Sequence, residues 1–309
     1  MSRYLPIAMA LLLVLLAFAL VYNLKHHEDS RSVALQLGTF NRQQNCSIQP
    51  PFLSRLKIPQ PIAIDLSQDR YRGLAFLFGQ RLSRAIHLKA WERFDYFSGY
   101  VLDQKGNMYL TPMPYISVKP KTFDLQKNIY KLEGNSGKLS IWMSLDEVKA
   151  GSTNPFGIIA IAYDCDDDTL WVAAIDETDY TTQRGIIYHI DIKQKKILQR
   201  VKRIDALSLK LLHTQRGKYL LLGSARENTL CAFSVKEGKL SAVSHKIFSL
   251  PDANEHVRKI MVRGHNHLEI QTIPFAYTLL AQTAQQGVRS TYDAFWDVNT
   301  AQWKLSLKK

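Results

Sequence analysis

The chain has 309 residues, of which 46% are hydrophobic and 22% carry a formal charge, and this composition excludes a disordered or low-complexity protein. Lysine and arginine number 40 against 27 aspartate and glutamate residues, so the formal net charge is +13 at pH 7. This excess indicates affinity for acidic partners such as anionic lipid, acidic polysaccharide or nucleic acid, although a basic surface also keeps a protein soluble.

The N-terminus contains an apolar run from Leu5 to Tyr22 without a charged residue, preceded by Arg3 and followed by Lys25. The run is at the short end of what spans a hydrocarbon core of about 30 Å. A cleaved signal peptide is the alternative, since Ala17-Phe18-Ala19 offers an A-x-A site, but the apolar run continues beyond it. We therefore favour an uncleaved transmembrane signal anchor over residues 1–24. Both interpretations place the rest of the chain outside the cytoplasm, in the periplasm or an equivalent compartment.

Residues 25–60 have mixed charge, glutamines and several prolines. A segment of this composition buries little apolar surface, so we predict a partly extended linker between the membrane and a folded domain over 61–309. The second half of the linker is also a candidate for one strand of that domain.

Three cysteines, Cys46, Cys165 and Cys231, form no CxxC pair and no metal-binding spacing. An oxidising compartment would allow one disulfide and leave one thiol over. The alternative is that Cys165 and Cys231 are small buried hydrophobic residues.

A ten-residue unit, in which apolar and polar residues alternate around a polar turn, recurs four times. Each copy has the pattern of a β-hairpin. The copies lie at 130–139, 188–197, 231–240 and 294–303. A second hairpin pattern precedes each copy, at 99–110, 159–172, 209–222 and 259–270. Two hairpins make one four-stranded sheet, and self-similar units about 40–50 residues apart are typical of propeller blades.

Four blades are therefore explicit from residue 99 onward, and strands at 74–78 and 85–88 supply a fifth. Strands from the linker would complete a sixth. The sequence predicts an all-β propeller of five or six four-stranded blades, with six favoured, preceded by the N-terminal transmembrane helix.

Two blade sequences resemble known propellers. Residues 217–240 look like one blade of the lactonase and quinoprotein-like propellers, and residues 157–174 are similar to blades of the six-bladed gluconolactonase-like and NHL-repeat superfamily. The resemblance implies the fold, which hosts hydrolases, cofactor enzymes and binding platforms. It also implies a channel metal held by Glu and Asn or Asp side chains, with Asn154 and Asp205 at matching places. The Glu-Gly-Pro motif expected at the start of the domain is missing.

An acidic stretch begins at Asp164, and seven carboxylates fall between 164 and 179, while no lysine or arginine occurs from 150 to 183. Asp164, Asp166 and Asp168 have the spacing that opens a calcium loop. Thr169 and Ile175 stand where that loop needs Gly and a bidentate Glu, so we predict an Asp-rich turn instead.

The carboxylates at 176–179 follow the second strand of the same blade, on the face where ligands usually enter a propeller channel. Close carboxylates there would bind a divalent cation such as calcium or zinc, or act as acid and base; a solvated acidic loop is the alternative. The candidate metal or ligand residues at this channel mouth are Asn154, Asp176, Glu177, Asp179, Asp205 and His256.

Other histidines give weaker signals. His265 and His267 have a metal-like spacing, but they lie in a predicted hairpin turn with only His256 as a further candidate ligand. His189 alternates with the apolar Tyr188 and Ile190, which predicts an exposed position.

A basic stretch follows the acidic one: from 193 to 218, nine lysines and arginines stand against one acid, Asp205. Much of it belongs to a hairpin turn on the face opposite the acidic loop, and such a surface can lie against anionic lipid or a negatively charged partner. The compartment and the missing aromatic–basic interleaving argue against nucleic acid. The predicted basic surface comprises Lys193, Lys195, Lys196, Arg200, Lys202 and Arg203.

The sequence thus predicts a membrane-tethered, exported propeller that acts as a binding or scaffolding module for an acidic ligand or an envelope protein. No catalytic residue is identified. A metal-dependent lactonase or hydrolase with its site at the channel mouth is the alternative. A third hypothesis is an assembly partner that uses blade edges and loops inside an envelope complex.

Overall fold

The computed structural model describes residues 37–40, 46–66, 70–114, 123–278 and 289–308. The predicted transmembrane anchor over 1–24 lies outside these residues. Within the described ranges, no helix has both the length and the hydropathy needed to cross a membrane.

The described strands form five antiparallel sheets, each built from strands that are consecutive in the chain. Blade 1 has three strands, β1 Ala63–Asp65, β2 Ala75–Phe78 and β3 Arg84–Ile86. Blade 2 has β4 Tyr96–Leu102, β5 Met108–Met113, β6 Asn128–Leu132 and β7 Leu139–Ser144. Blade 3 has β8 Ile158–Asp164, β9 Thr169–Ala174, β10 Ile186–Asp191 and β11 Lys196–Lys202.

Blade 4 has β12 Ala206–Thr214, β13 Gly217–Ser224, β14 Thr229–Lys236 and β15 Lys239–Ser249. Blade 5 has β16 Glu255–Gly264, β17 His267–Pro274, β18 Thr291–Asp297 and β19 Gln302–Leu307. The described helices are short: α1 at Pro51–Arg55 and 3₁₀ turns at Gln80–Leu82, Lys89–Phe94 and Asp124–Lys127. The chain is therefore an all-β propeller with five blades.

Each ten-residue repeat is the outer hairpin of a blade, as predicted. The eighth position of every copy has a left-handed backbone, with φ of 70° at Gly137, 51° at Lys195, 69° at Gly238 and 50° at Ala301. In three copies a four-residue connection ends in this left-handed residue, whereas the copy in blade 4 has a two-residue turn in which both Glu237 and Gly238 are left-handed. The repeat in the sequence therefore reflects a left-handed residue at one position, reached by two kinds of turn.

Four clusters of buried hydrophobic side chains join neighbouring blades. The way in which side chains alternate between the two faces of blade 5 explains the blade count. Leu268 and Ile270 of β17 pack toward blade 4, so Glu269 between them faces the other way. On the next strand Asp293 likewise alternates with the buried Tyr292 and Ala294. This free face of blade 5 is mostly polar, with Phe295 as an exposed apolar side chain, and β1 pairs within blade 1. The favoured count of six blades is therefore not supported.

An N-terminal strap, which we define as residues 37–40 and 46–55, runs across the turns of several blades. Thr39 accepts a backbone hydrogen bond from Gln215 of blade 4 (3.1 Å), and Phe40 exchanges hydrogen bonds with Asn266 of blade 5 (2.8 and 2.9 Å). Further along, the backbone of Phe52 donates to Gly134 of blade 2 (2.9 Å). The strap thus holds the same end of three blades.

A disulfide fixes the strap to blade 3. It joins Cys46 to Cys165, which lies in the turn between β8 and β9, and their Cα atoms are 6.3 Å apart. Cys231 is a free thiol, half-buried in β14. Of the two alternatives for the cysteines, a single disulfide with one thiol over is the one that the structure shows, and Cys165 is not an isolated buried hydrophobic residue.

The strap also corrects the expected behaviour of the linker. Leu37, Phe40, Phe52 and Leu53 are buried against the blades. The described part of the segment 25–60 therefore packs on the propeller and does not stand off as an extended spacer, because its few apolar side chains find partners in the blade turns. The boundary at residue 60 stays a prediction.

Candidate functional site

The propeller has two chemically different ends. We call one end the turn face, because it holds the turns between the first and second and between the third and fourth strands of each blade. The opposite end, the loop face, holds the loops between second and third strands and the connections between blades. The strap lies on the turn face, whereas the predicted channel-mouth residues lie on the loop face.

Asp205, directly before β12, is the centre of the loop-face network. Its carboxylate accepts hydrogen bonds from the Thr178 hydroxyl (2.9 Å), the Gly185 amide (2.9 Å) and the Tyr277 hydroxyl (3.1 Å), and Arg226 lies 3.6 Å away. Burial raises the pKa of Asp205, while these donors work in the opposite direction. The carboxylate is therefore engaged on both oxygens inside the protein.

Asn154 and Asp176 hold the same loop from the other side. The Asn154 amide donates to the carbonyls of Ile175 (2.6 Å) and Thr178 (2.9 Å). Asp176 accepts from the backbone amide of Lys149 (2.8 Å), and burial raises its pKa. Both side chains thus stabilise the backbone of the 175–185 loop.

The remaining predicted residues make separate contacts. Exposed Asp179 accepts from the amides of Thr181 (2.7 Å) and Thr182 (2.6 Å), and exposed Glu177 pairs with Arg184 at 3.5 Å. These bonds close a local turn around each carboxylate.

His256 is buried, with Nδ1 3.2 Å from the Ser224 carbonyl, and burial lowers its pKa. Its ring lies 6.1 Å from that of Phe275. The structure therefore gathers Asn154 and Asp205 on one loop and leaves His256 outside that network. Metal or ligand binding by the six residues stays a prediction.

A collar of β-bulges surrounds the centre of the propeller. The innermost strands β4, β8, β12 and β16 each have a bulge at the equivalent position, at Ser98, Ile159, Leu207 and Arg258. The Arg258 guanidinium donates to the carbonyls of Leu207 (2.9 Å) and Ser98, and the Ser98 hydroxyl donates to the Ile159 carbonyl (2.8 Å). These bonds connect blades 2, 3, 4 and 5 through their bulged residues.

The collar contains a positive charge, that of Arg258, and no carboxylate of the described ranges offsets it. Burial, together with the like charge of Arg289, lowers the pKa of Arg258 to about 10. Sequence reasoning missed this residue because a bulge has no reliable sequence signature, and because Arg258 stands among other charged residues of the same strand, such as Lys259 and Arg263.

On the turn face, Lys218 neutralises the Asp-rich turn. Its ammonium lies 2.8 Å from Asp164, 2.9 Å from Asp166 and 3.3 Å from Asp167. Burial alone would lower the pKa of Lys218, but the hydrogen bonds to Asp164 and Asp166 raise it above its ordinary value. Asp164, Asp166 and His213 have ligand atoms within 4.8 Å of one another, and a metal ion there would have to compete with the lysine. The predicted turn is confirmed.

His189 is buried rather than exposed, which corrects the prediction. Its ring stacks on Trp171 with centroids 4.0 Å apart, and Nε2 lies 2.9 Å from the Thr169 hydroxyl. The strand is covered on both faces by blades 2 and 4, so alternation does not separate inside from outside here. His189 also lines a cleft of about 730 Å³ between blades 3 and 4.

The predicted basic surface is exposed along the β10–β11 turn and the outer strand β11. Arg200 pairs with Glu147 at 2.8 Å, and Lys195 lies 6.0 Å from the Trp142 ring. Lys193 and Lys195 are in the turn itself and so belong to the turn face, the face that the strap crosses.

His265 lies in the β16–β17 hairpin turn, as predicted, and His267 is the first residue of β17 directly after it. His267 pairs with Asp293 at 2.7 Å and stacks on Phe295 at 4.2 Å. Asn266 between them is buried and bonded to the strap. The turn therefore serves as a docking point for the strap.

Comparison with known proteins gives structural likeness only. No protein-family model matches the chain, and no curated protein matches it. A gluconolactonase from Xanthomonas campestris is 14% identical, covers 68% of this chain and 64% of its own, and has a TM-score of 0.44. A hypothetical selenium-binding protein from Sulfolobus tokodaii is 10% identical, with coverages of 75% and 55% and a TM-score of 0.44.

A glucose dehydrogenase is 12% identical, with coverages of 73% and 78% and a TM-score of 0.42. The chain spans less than two thirds of the length of the first two proteins. At such identities and TM-scores, the likeness supplies no argument about activity or ligand.

Proposed function

We propose that the chain is an exported propeller, tethered to a membrane by its N-terminal apolar run, that acts as a binding module with its turn face toward an anionic surface. The observation that supports this most is the position of the strap. Leu37 and Phe40 dock on the turn face, which also holds Lys193 and Lys195. A membrane anchor that precedes the strap would therefore leave the propeller from the turn face, the face that carries these lysines.

The reach of the chain fits this arrangement. Fourteen residues separate Tyr22 from Leu37, and a fully extended segment of this length spans at most about 50 Å. The turn face is then held within a short distance of the bilayer. Each basic residue at an anionic membrane surface contributes about 1 kcal/mol to the free energy of binding. The lysines of the turn face therefore favour the same orientation as the tether.

The Cys46–Cys165 disulfide supports export. Disulfides persist in oxidising compartments and are rare in the cytosol of mesophiles. This one joins the strap to blade 3, and it therefore fixes the position from which the chain leaves the turn face.

The loop face supports binding more than catalysis. The side chains of Asp205, Asn154 and Asp176 form hydrogen bonds that fix the 175–185 loop. This loop therefore presents a rigid surface. Tyr180 projects from that loop with 62% of its surface exposed and contacts Tyr277 with ring centroids 5.6 Å apart. An exposed aromatic side chain on a fixed loop is a typical anchor for a protein partner.

A metal-dependent hydrolase is the second candidate function, because Asn154 and Asp205 both form a hydrogen bond with Thr178 of the loop. Their amide and carboxylate oxygens suit calcium or another hard cation. If this function is correct, calcium, zinc or manganese at millimolar concentration raises the melting temperature of the wild type and not that of an Asp176→Asn, Asp179→Asn variant. No shift in the wild type would remove this candidate.

Topology is the direct test of the proposal. Alkaline phosphatase fused after residue 60 should be active, since it folds only in an oxidising compartment. In the same cells, trapped thiols should show one alkylated cysteine per chain without reduction and three after reduction. An inactive phosphatase fusion, or three free thiols in the native protein, would contradict export.

A further inference from the structure

The centre of the propeller holds a cationic side chain, Arg258, that forms no ion pair with an acidic residue in the part of the chain that the structure describes. Arg258 of β16 is bonded to two neutral carbonyls, those of Leu207 and Ser98. Among the described residues no carboxylate forms an ion pair with it, and the charged group that acts on it is another cation, Arg289. A partly desolvated charge without a counter-charge is costly.

A second uncompensated cation lies on the neighbouring inner strand. Lys210 of β12 is three residues beyond Leu207, which is about 10 Å along the strand toward the turn face. Burial lowers its pKa, and within the described part of the chain no carboxylate offsets this effect. The inner strands therefore place Arg258 and Lys210 at two levels of the same channel.

The guanidinium is held in a fixed orientation. Ser98, whose carbonyl accepts from Arg258, is itself bonded through its hydroxyl to Thr111 (2.7 Å) and to the Ile159 carbonyl (2.8 Å). A guanidinium has five N–H donors, and among the described contacts the carbonyls of Leu207 and Ser98 use two of them. Preorganised donors of this kind recognise planar oxyanions well.

We propose that the channel lined by β4, β12 and β16 binds a small oxyanion, a carboxylate or a phosphate, whose oxygens pair with Arg258. Lys210 and Arg289 add positive charge on either side of that position. A planar carboxylate or a phosphate edge accepts two parallel hydrogen bonds from one guanidinium, whereas chloride accepts none in that geometry. The site is independent of the membrane tether and of the basic turn.

The experiment measures binding to the purified full-length chain in a nonionic detergent. Inorganic phosphate and citrate are titrated against sodium chloride at matched ionic strength, with melting temperature and calorimetric heat as readouts. The wild type should bind at least one of the two oxyanions saturably, with a melting temperature that rises with the logarithm of its concentration. Saturation with phosphate alone identifies a phosphate ligand, and with citrate alone a carboxylate ligand.

Variants locate the site. Arg258→Met should bind at least 100-fold more weakly, and Lys210→Met about tenfold more weakly, while Lys259→Gln, an exposed neighbour on β16, should bind like the wild type. If Arg258→Met fails to fold, the affinities of Lys210→Met and Arg289→Gln test the proposal instead, because both variants retain the hydrogen bonds that Arg258 makes. The proposal is overturned if neither oxyanion acts beyond matched chloride, or if Lys210→Met and Arg289→Gln both retain wild-type affinity.

Discussion

Arg258 and Ser98 lie 160 positions apart in the chain, yet the guanidinium of one donates to the backbone carbonyl of the other at the centre of the propeller. Both are bulged residues of innermost strands, in blades 5 and 2. A bulge leaves a carbonyl without a ladder partner, and the arginine supplies one. This contact links two blades that are not consecutive in the chain.

The Arg258 contact predicts a stability effect. Arg258→Met removes the donors to Ser98 and Leu207 and leaves two carbonyls unsatisfied, at a cost of about 1–3 kcal/mol, partly offset because a desolvated charge is also removed. Lys259→Gln, on the exposed side of the same strand, should change the free energy of unfolding by less than about 0.5 kcal/mol. Urea denaturation compares the two; equal stabilities would mean that the collar is not a structural tie.

The disulfide predicts a redox-dependent stability. It connects residues 119 positions apart, and closing so long a loop stabilises a native state by about 2–4 kcal/mol. Cys46→Ser, or reduction of the wild type, should lower the free energy of unfolding by about that amount. Cys231→Ser, which alters only the free thiol, is the matched control. A reductant that lowers the melting temperature of Cys46→Ser as much as that of the wild type would refute the assignment.

Glu269 predicts a loss of stability in acid. Hydrogen bonds from Arg263 and Lys308 lower the pKa of Glu269 to about 2, below its ordinary value of 4.5. A carboxylate with a lowered folded-state pKa stabilises the fold above the unfolded-state value and loses that contribution as the pH falls. The wild type should therefore lose stability from about pH 4.5 toward pH 2, by no more than about 1.4 kcal/mol per pH unit from this group.

Glu269→Gln should flatten that part of the pH profile, because the amide does not titrate. The exposed Glu237→Gln is the control and should follow the wild-type curve. Denaturant unfolding at half-unit pH intervals gives the comparison. If Glu269→Gln follows the same curve as the wild type, the ion pairs with Arg263 and Lys308 do not contribute in solution.

The repeated turn predicts a stabilising substitution. Ala301 has φ of 50°, whereas the first copy of the repeat has Gly137 at that position. A left-handed backbone costs a residue with a β-carbon roughly 1–2 kcal/mol, so Ala301→Gly should stabilise the protein by about 0.5–1 kcal/mol after its entropic cost. Ala232→Gly, in the middle of β14 and paired with both neighbouring strands, should instead destabilise it. Thermal unfolding of both variants checks the sign.

The sequence was most informative about the outer hairpins, because a left-handed turn residue recurs at the same position of the repeat, at residues 137, 195, 238 and 301. Alternation also located the inner hairpins, although it failed for His189. That strand is buried on both faces, and a period of two then gives no information about exposure. The blade count was overestimated because the linker looked free to add strands, while Leu37, Phe40, Phe52 and Leu53 are used in the strap.

The candidate site was harder to predict. The positions of Asn154 and Asp205 on the loop face followed from the repeat, but their partners did not. Tyr277 reaches Asp205 from blade 5 and Arg226 reaches it from the β13–β14 loop, and no local pattern encodes such contacts. The contact between Lys218 and Asp164 was not predicted for the same reason, because the two residues lie more than fifty positions apart in the chain.

The most direct test of the binding-module account is adsorption of residues 37–309 to vesicles that contain anionic lipid at low salt. Three charges worth about 1 kcal/mol each predict that Lys193→Gln, Lys195→Gln, Lys196→Gln binds about 100-fold more weakly than the wild type. The same charge change on the loop face, Lys127→Gln, Lys149→Gln, Arg184→Gln, should have a much smaller effect. Equal affinity of the two triple variants would contradict a turn face that lies against the membrane.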